Sequence, residues 1–159
     1  MAAVRACFGA YTAWLDEDIS FQNYAAELGG LPGQYAAAAG GALLLAVNAG
    51  GQILGCVAMR PLTVGPRYAA GRRAGGARVC EMKRLFVYPE ARGRRVSRAL
   101  VRELVRTARE AGYDEMVLDT MARMRAAIGL YASEAFVPTE PYCFNPLDGV
   151  LFFSKRLDA

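Results

Sequence analysis

Along the chain, apolar and polar positions change rhythm several times, and each change marks an element. Val4, Phe8, Tyr11 and Leu15 recur at helical spacing and predict a first helix that the acidic run Asp16–Asp18 brings to an end. Ser20 is placed to cap a second helix carrying Phe21, Tyr24 and Leu28. Residues 29–41 read as loop, with an alanine segment suited to one helical turn. Residues 42–47 and 52–60 then predict two strands joined through Asn48-Ala49-Gly50-Gly51, a hairpin signal. Four glycines and a proline in residues 62–77 predict a basic, mobile loop, serving as a long connection or as a flap on the substrate side.

The stretch from Cys80 to Gly112 organises the rest. Residues 79–88 are apolar and β-branched enough for a buried strand, and Pro89 stops its ladder. Beyond an arginine-and-glycine turn, Val96, Leu100, Leu104 and Ala108 fall on one helical face with Val101 and Val105 beside them, and Gly112 terminates the helix. A short strand at 115–119 follows, then a helix with Met124, Ile128 and Tyr131 on one face. Short strands at 136–137 and 150–154 enclose the loop PTEPYCFNPLDG. This order predicts a mixed sheet with helices on both faces. At 159 residues, the chain is expected to form a single domain spanning 1–159.

Charge sharpens the picture. The net charge of +4 is distributed as −3 over residues 1–59, +11 over 60–109 and −4 over 110–159. Arg92, Arg94, Arg95 and Arg98 crowd the start of the long helix, where unpaired N–H groups and the positive dipole end already favour an anion. The plain alternative is a solvated arginine-rich helix face. The chain has no histidine and four scattered cysteines, so neither a metal site nor a Cys–His or Ser–His nucleophile is expected. The apolar start lacks a basic leading region, and no segment makes a convincing membrane span, so a cytoplasmic protein without membrane partners is expected. Nucleic acid ranks last among partners, because aromatics are not interleaved with the arginines. Room is left for a homodimer.

Three segments, EMKRLFVYPEARGRRVSRAL, YDEMVLDT and IGLYASEAF, give the chain a resemblance to the GNAT superfamily of N-acetyltransferases over nearly its whole length. The resemblance implies a GNAT-like, mostly antiparallel twisted sheet lacking the family's first strand, with acetyl-CoA as cosubstrate. Leu85, Phe86 and Val87 would line the pantetheine arm; Arg92, Gly93, Arg94, Arg95, Val96 and Ser97 would cradle the pyrophosphate. Tyr131 matches the family's tyrosine that protonates the departing thiolate. The chain departs from the pattern at Arg95 and Ser97, which replace small motif residues, at Met124, where an asparagine is common, and at Ala135, which replaces a glycine.

Acetyl transfer needs a base for the amine. Without histidine, Glu81 acting through water is the first candidate, set against a plain salt bridge to Arg60 or Arg78; Asp119 is the second, set against a helix cap. Tyr131 could equally be a core aromatic. Phe21, Tyr24, Tyr142 and Asn145 lie in segments resembling acceptor-site loops, and Cys143 has no base near it in sequence, which suggests an inert thiol. The expected activity is direct transfer of acetyl to a primary amine of a small molecule. The alternative is a non-catalytic acyl-CoA-binding or regulatory domain of the same fold.

Overall fold

The computed structural model describes residues 1–70 and 76–157. Residues 71–75, within the basic loop expected at 62–77, lie outside the described residues, as do 158–159. Six strands form one sheet in the order β1-β2-β3-β4-β6-β5. Contacts group the chain into two compact units, Met1–Arg60 with Met82–Leu104, and Pro61–Glu81 with Val105–Ala159.

In the first unit, α1 (Ala2–Leu15) buries Val4, Cys7, Phe8 and Leu15 along one stripe. It stops at Asp16, whose φ of 51° leaves the helical region. Ser20 does not cap a long second helix. Its own N–H donates to Asp18 Oδ1 at 2.8 Å, so the chain makes a 3₁₀ turn over Ser20–Gln22 before the short α2 (Tyr24–Gly29). Asp18, not Ser20, supplies the oxygen that accepts a backbone N–H, and Asn23, at φ 57°, breaks the helical run between the 3₁₀ turn and α2. Two further 3₁₀ turns, Gly33–Tyr35 and Ala37–Ala39, fill the stretch read as loop.

The hairpin forms as the Asn-Gly signal demands: β1 (Ala42–Val47) pairs antiparallel with β2 (Ile53–Leu62). Asn48 Oδ1 accepts from the Gly50 and Gln52 N–H groups at 3.0 Å each, and Gly51 supplies the positive φ. Gly55 is required for closeness. A Cβ there would lie 2.3 Å from the Phe86 carbonyl oxygen, so only glycine lets β2 approach β3 (Val79–Val87) at that point. Phe8, Leu31, Tyr35, Cys56, Ala58 and Phe86 form the unit's core.

In the second unit, β4 (Glu115–Met121) is central, with Met116, Val117 and Leu118 buried. Its parallel ladder with β3 covers Val79–Glu81 against Glu115–Val117, and its antiparallel ladder with β6 (Val150–Arg156) runs over all seven residues. The edge is the two-residue β5 (Val137–Pro138), one residue later than expected. Leu100, Val101, Leu104, Val105 and Ala108 of α3 (Val96–Glu110) are buried, as their spacing predicts. Gly112, at φ 78°, ends α3, and Arg78 donates to the Ala111 and Gly112 carbonyls at 2.8 and 3.2 Å. That placement sets a cation at the negative end of the helix. The last helix, α4, spans Arg125–Ser133.

Candidate active site

The anion cradle expected before α3 has the required backbone. A 3₁₀ turn over Pro89–Ala91 leads out of β3, then Gly93 (φ 74°) and Arg95 (φ 61°) both take left-handed conformations. Arg95, which replaces a motif glycine, therefore still adopts the glycine's conformation, at a cost of about 1–2 kcal/mol for a residue with a Cβ. Arg92, Gly93, Arg94 and Arg95 are exposed, and Val96 and Ser97 are half-buried. The first-turn N–H groups of α3 have no intrahelical acceptor, which leaves donors for a bound anion. Arg92 is anchored rather than loose: its Nε donates to the Val87 carbonyl at 3.1 Å and its guanidinium lies 5.3 Å from the Trp14 ring centre. Phe86, 4% exposed, packs between Trp14 and Tyr88, while Leu85 and Val87 flank it half-buried.

Immediately before that stretch, β3 carries a charge into the interior. Arg84 is buried and holds a positive φ of 59°. Its Nε and Nη2 donate to the two oxygens of Glu27 at 2.8 and 2.9 Å, and its Nη1 donates to Gln22 Oε1 at 2.9 Å. Tyr11 and Tyr24 set their rings 5.7 and 5.2 Å from the same guanidinium. Burial disfavours the charged guanidinium, but the Glu27 hydrogen bonds and charge outweigh it and raise the Arg84 pKa above its ordinary value. This construction was missed in the sequence. Its signal was available: two consecutive cations, Lys83-Arg84, in a buried strand need an anion, and Glu27 is the single acid between Asp18 and Glu81.

The second unit gathers the acidic chemistry. Glu81 is 1% exposed and accepts a hydrogen bond from Tyr142 Oη at 2.9 Å. Asp119, half-buried on β4, accepts from Asn145 Nδ2 at 2.9 Å. Burial, then the nearby Asp119 and Glu81 charges, push the Tyr142 phenol well above its usual range, so it stays a donor. Cys143 joins the group: its sulfur and one oxygen from each of Glu81 and Asp119 all lie within 4.8 Å of one another. The thiol that seemed remote from any base in sequence is thus brought beside two carboxylates by the loop before β6. Three such ligand atoms are of the kind that holds a cation, but Tyr142 and Asn145 already engage both carboxylates.

Tyr131, on α4, is 6% exposed and packs edge-on to Phe136 at 5.9 Å and against Phe153 at 6.3 Å. Ala135 keeps the left-handed φ of 62° expected of the glycine it replaces. Met124, where an asparagine is common, precedes α4, and its sulfur lies 3.5 Å from the Thr120 hydroxyl that donates to it. Of the expected acceptor-side residues, Tyr142 and Asn145 meet the acidic pair, while Tyr24 stands beside Arg84 in the other unit.

A left-handed turn after a central strand, opening onto an arginine-headed helix, with a short parallel ladder beside that strand, agrees with the GNAT-like mixed sheet that the sequence resemblance implies. The profile of the Acetyltransferase (GNAT) family matches residues 8–136, and the chain belongs to that family. An uncharacterized N-acetyltransferase of Schizosaccharomyces pombe is 38% identical over 140 residues, which is 88% of this chain and 78% of that protein. An acetyltransferase of Streptococcus agalactiae shares the fold at a TM-score of 0.70 and 18% identity, covering 96% of this chain and 91% of its own. Arabidopsis thaliana NAA60, solved in complex with acetyl-CoA, matches at 0.61 and 18% identity over 75% of this chain and 77% of its own. The protein is an acetyl-CoA-dependent acyltransferase. Among the described residues, no helix is long and apolar enough to cross a membrane.

Proposed function

We propose that the protein transfers the acetyl group of acetyl-CoA directly to a primary amine of a small molecule, without an acetylated enzyme. The observation that carries this reading is the pair of left-handed residues, Gly93 and Arg95, turning the chain into α3 with four arginines around them. Such a turn aims backbone N–H groups outward, which suits a pyrophosphate better than a solvated helix face would require. Arg92 to Ser97 bind the pyrophosphate, and Leu85, Phe86 and Val87 line the pantetheine arm.

Chemistry then follows from the acidic group. Glu81, through a water, takes a proton from the acceptor ammonium, and the neutral amine attacks the thioester carbonyl carbon. Backbone N–H groups at Leu85 and Phe86 stabilise the oxyanion. The carbon–sulfur bond breaks as Tyr131 donates its proton to the CoA thiolate, and the second proton, lost by the attacking nitrogen as the amide forms, passes through water to restore the Tyr131 phenol. Tyr142 donates to one Glu81 oxygen and so orients the carboxylate. Asp119 and Asn145 shape the same wall.

The test is intact-protein mass spectrometry after mixing with acetyl-CoA alone, followed by an amine panel with CoA release measured. Direct transfer gives an unmodified protein in the first step and CoA release with an acetylated amine in the second. A stable acetyl adduct on Cys143 that is discharged by amine would overturn it.

A further inference from the structure

The buried ion pair at Arg84 is built around a conformation foreign to its strand. Arg84 lies inside β3, yet its φ of 59° is left-handed, which a residue with a Cβ rarely adopts. A strained residue persists only where its surroundings over-determine it. Here they do so at both the side chain and the backbone. The side chain is fixed by Glu27, whose two oxygens accept from Nε and Nη2, and by Gln22, which accepts from Nη1. The backbone carbonyl accepts from the Cys56 thiol at 3.3 Å, and Cys56 belongs to the apolar core with Phe8 and Ala58. All of these groups lie in the first unit.

The peptide held in this way carries a donor that the proposed chemistry uses. The Arg84 carbonyl and the Leu85 N–H belong to one planar trans peptide, so they point in opposite directions. With the carbonyl turned to the Cys56 thiol, the Leu85 N–H is turned away from that part of the core. Leu85 is half-buried, whereas Arg84 and Phe86 on either side of it are buried. An extended Arg84 would rotate the peptide and re-aim its N–H. Anchoring α2 to the strand needs only the ion pair and gives no reason for a left-handed residue within β3.

We infer that Glu27 is a positioning residue for acetyl transfer: through Arg84 it holds the left-handed bend that aims the Leu85 N–H at the thioester oxygen. The inference rests on the acetyltransferase reading, in which that N–H stabilises the oxyanion. Such a donor works only when it is aligned in advance, and a misplacement of about 1 Å is enough to cost about 100-fold in rate. Glu27 acts on turnover through the backbone, not by contact with the reacting atoms.

The experiment compares the wild-type protein with Glu27→Gln, Glu27→Asp and Gln22→Ala. Two quantities are read: steady-state kinetics with an amine from the acceptor panel, and the infrared stretch of the thioester carbonyl in bound acetyl-CoA, isotope-labelled at that carbon. A hydrogen bond from Leu85 lowers that stretch in the wild type. Glu27→Gln should lose most of the lowering and about 10- to 100-fold of kcat, with KM for the amine and affinity for CoA changed less than about twofold. Glu27→Asp keeps the charge and should recover part of both. Gln22→Ala leaves the ion pair in place and should show a smaller loss of the same kind. It carries the test if Glu27→Gln shows no CoA-dependent gain in thermal stability and is therefore unfolded. Wild-type kcat and band position in whichever variant carries the test overturn the inference and leave the acetyltransferase reading standing. A fall in kcat matched by an equal loss of CoA affinity marks general loosening and overturns it too. A wild-type carbonyl band that stays at its solution position overturns it whatever the kinetics. Absence of CoA release with every amine overturns instead the reading on which the inference rests.

Discussion

Two buried polar constructions sit three residues apart on β3, and they are built on opposite principles. At Arg84, full charges meet in a bidentate pair with Glu27, shielded by two tyrosine rings. At Glu81, a carboxylate is held by a phenol, near a second carboxylate held by an amide. A closed ion pair has its oxygens engaged and its geometry locked, which suits it to holding backbone. A carboxylate that accepts from neutral donors, a phenol or an amide, is not neutralised by a paired cation and keeps its proton-accepting character. One strand thus carries a clasp at Arg84 and, on the proposed mechanism, a base at Glu81.

The comparison breaks most readily at Glu27. Glu27→Ala leaves the Arg84 charge buried without its partner and should cost about 3–5 kcal/mol of stability in urea unfolding. Glu81→Gln keeps the shape and hydrogen bond of the site, so the melting temperature should barely move while kcat falls about 10³-fold. A large stability loss there would make Glu81 a second clasp. Tyr131→Phe should lower kcat about 10²-fold with CoA affinity unchanged; unaltered turnover would return Tyr131 to the aromatic cluster with Phe136 and Phe153.

Thiol labelling sharpens the contrast at lower cost. Cys7, Cys56 and Cys80 are buried, and burial pushes the Cys80 thiol up to about 12, so the half-buried Cys143 should be alkylated first in the native protein at pH 8. The smallest effect concerns Ala135, a non-glycine residue in a left-handed conformation at φ 62°. Its methyl group makes no ion pair that could hold that φ, and Ala135→Gly should stabilise by about 0.5–1 kcal/mol, read by denaturant midpoint.

Much of this was legible in the residues. The periodicity of α3, the hairpin at Asn48 and the terminator at Gly112 carry local signals that the structure follows, and positions 95 and 135, glycine in the family pattern the chain resembles, keep left-handed conformations. Several boundaries moved: Asn23 broke the second helix, β2 ended two residues later than its apolar pattern, and β4 and β6 each ran two residues longer.

Taken alone, the order of residues determined most of the elements and, through its resemblance, the family, because helices, strands and hairpins depend on propensity, periodicity and short-range hydrogen bonds. Tertiary structure alone decided the partners: Glu27 for Arg84 across 57 residues, Tyr142 for Glu81 across 61, and Cys143 beside two carboxylates. A charge in a buried strand announces that it needs a partner, but its ligand is set by which distant side chain the fold brings within hydrogen-bond distance.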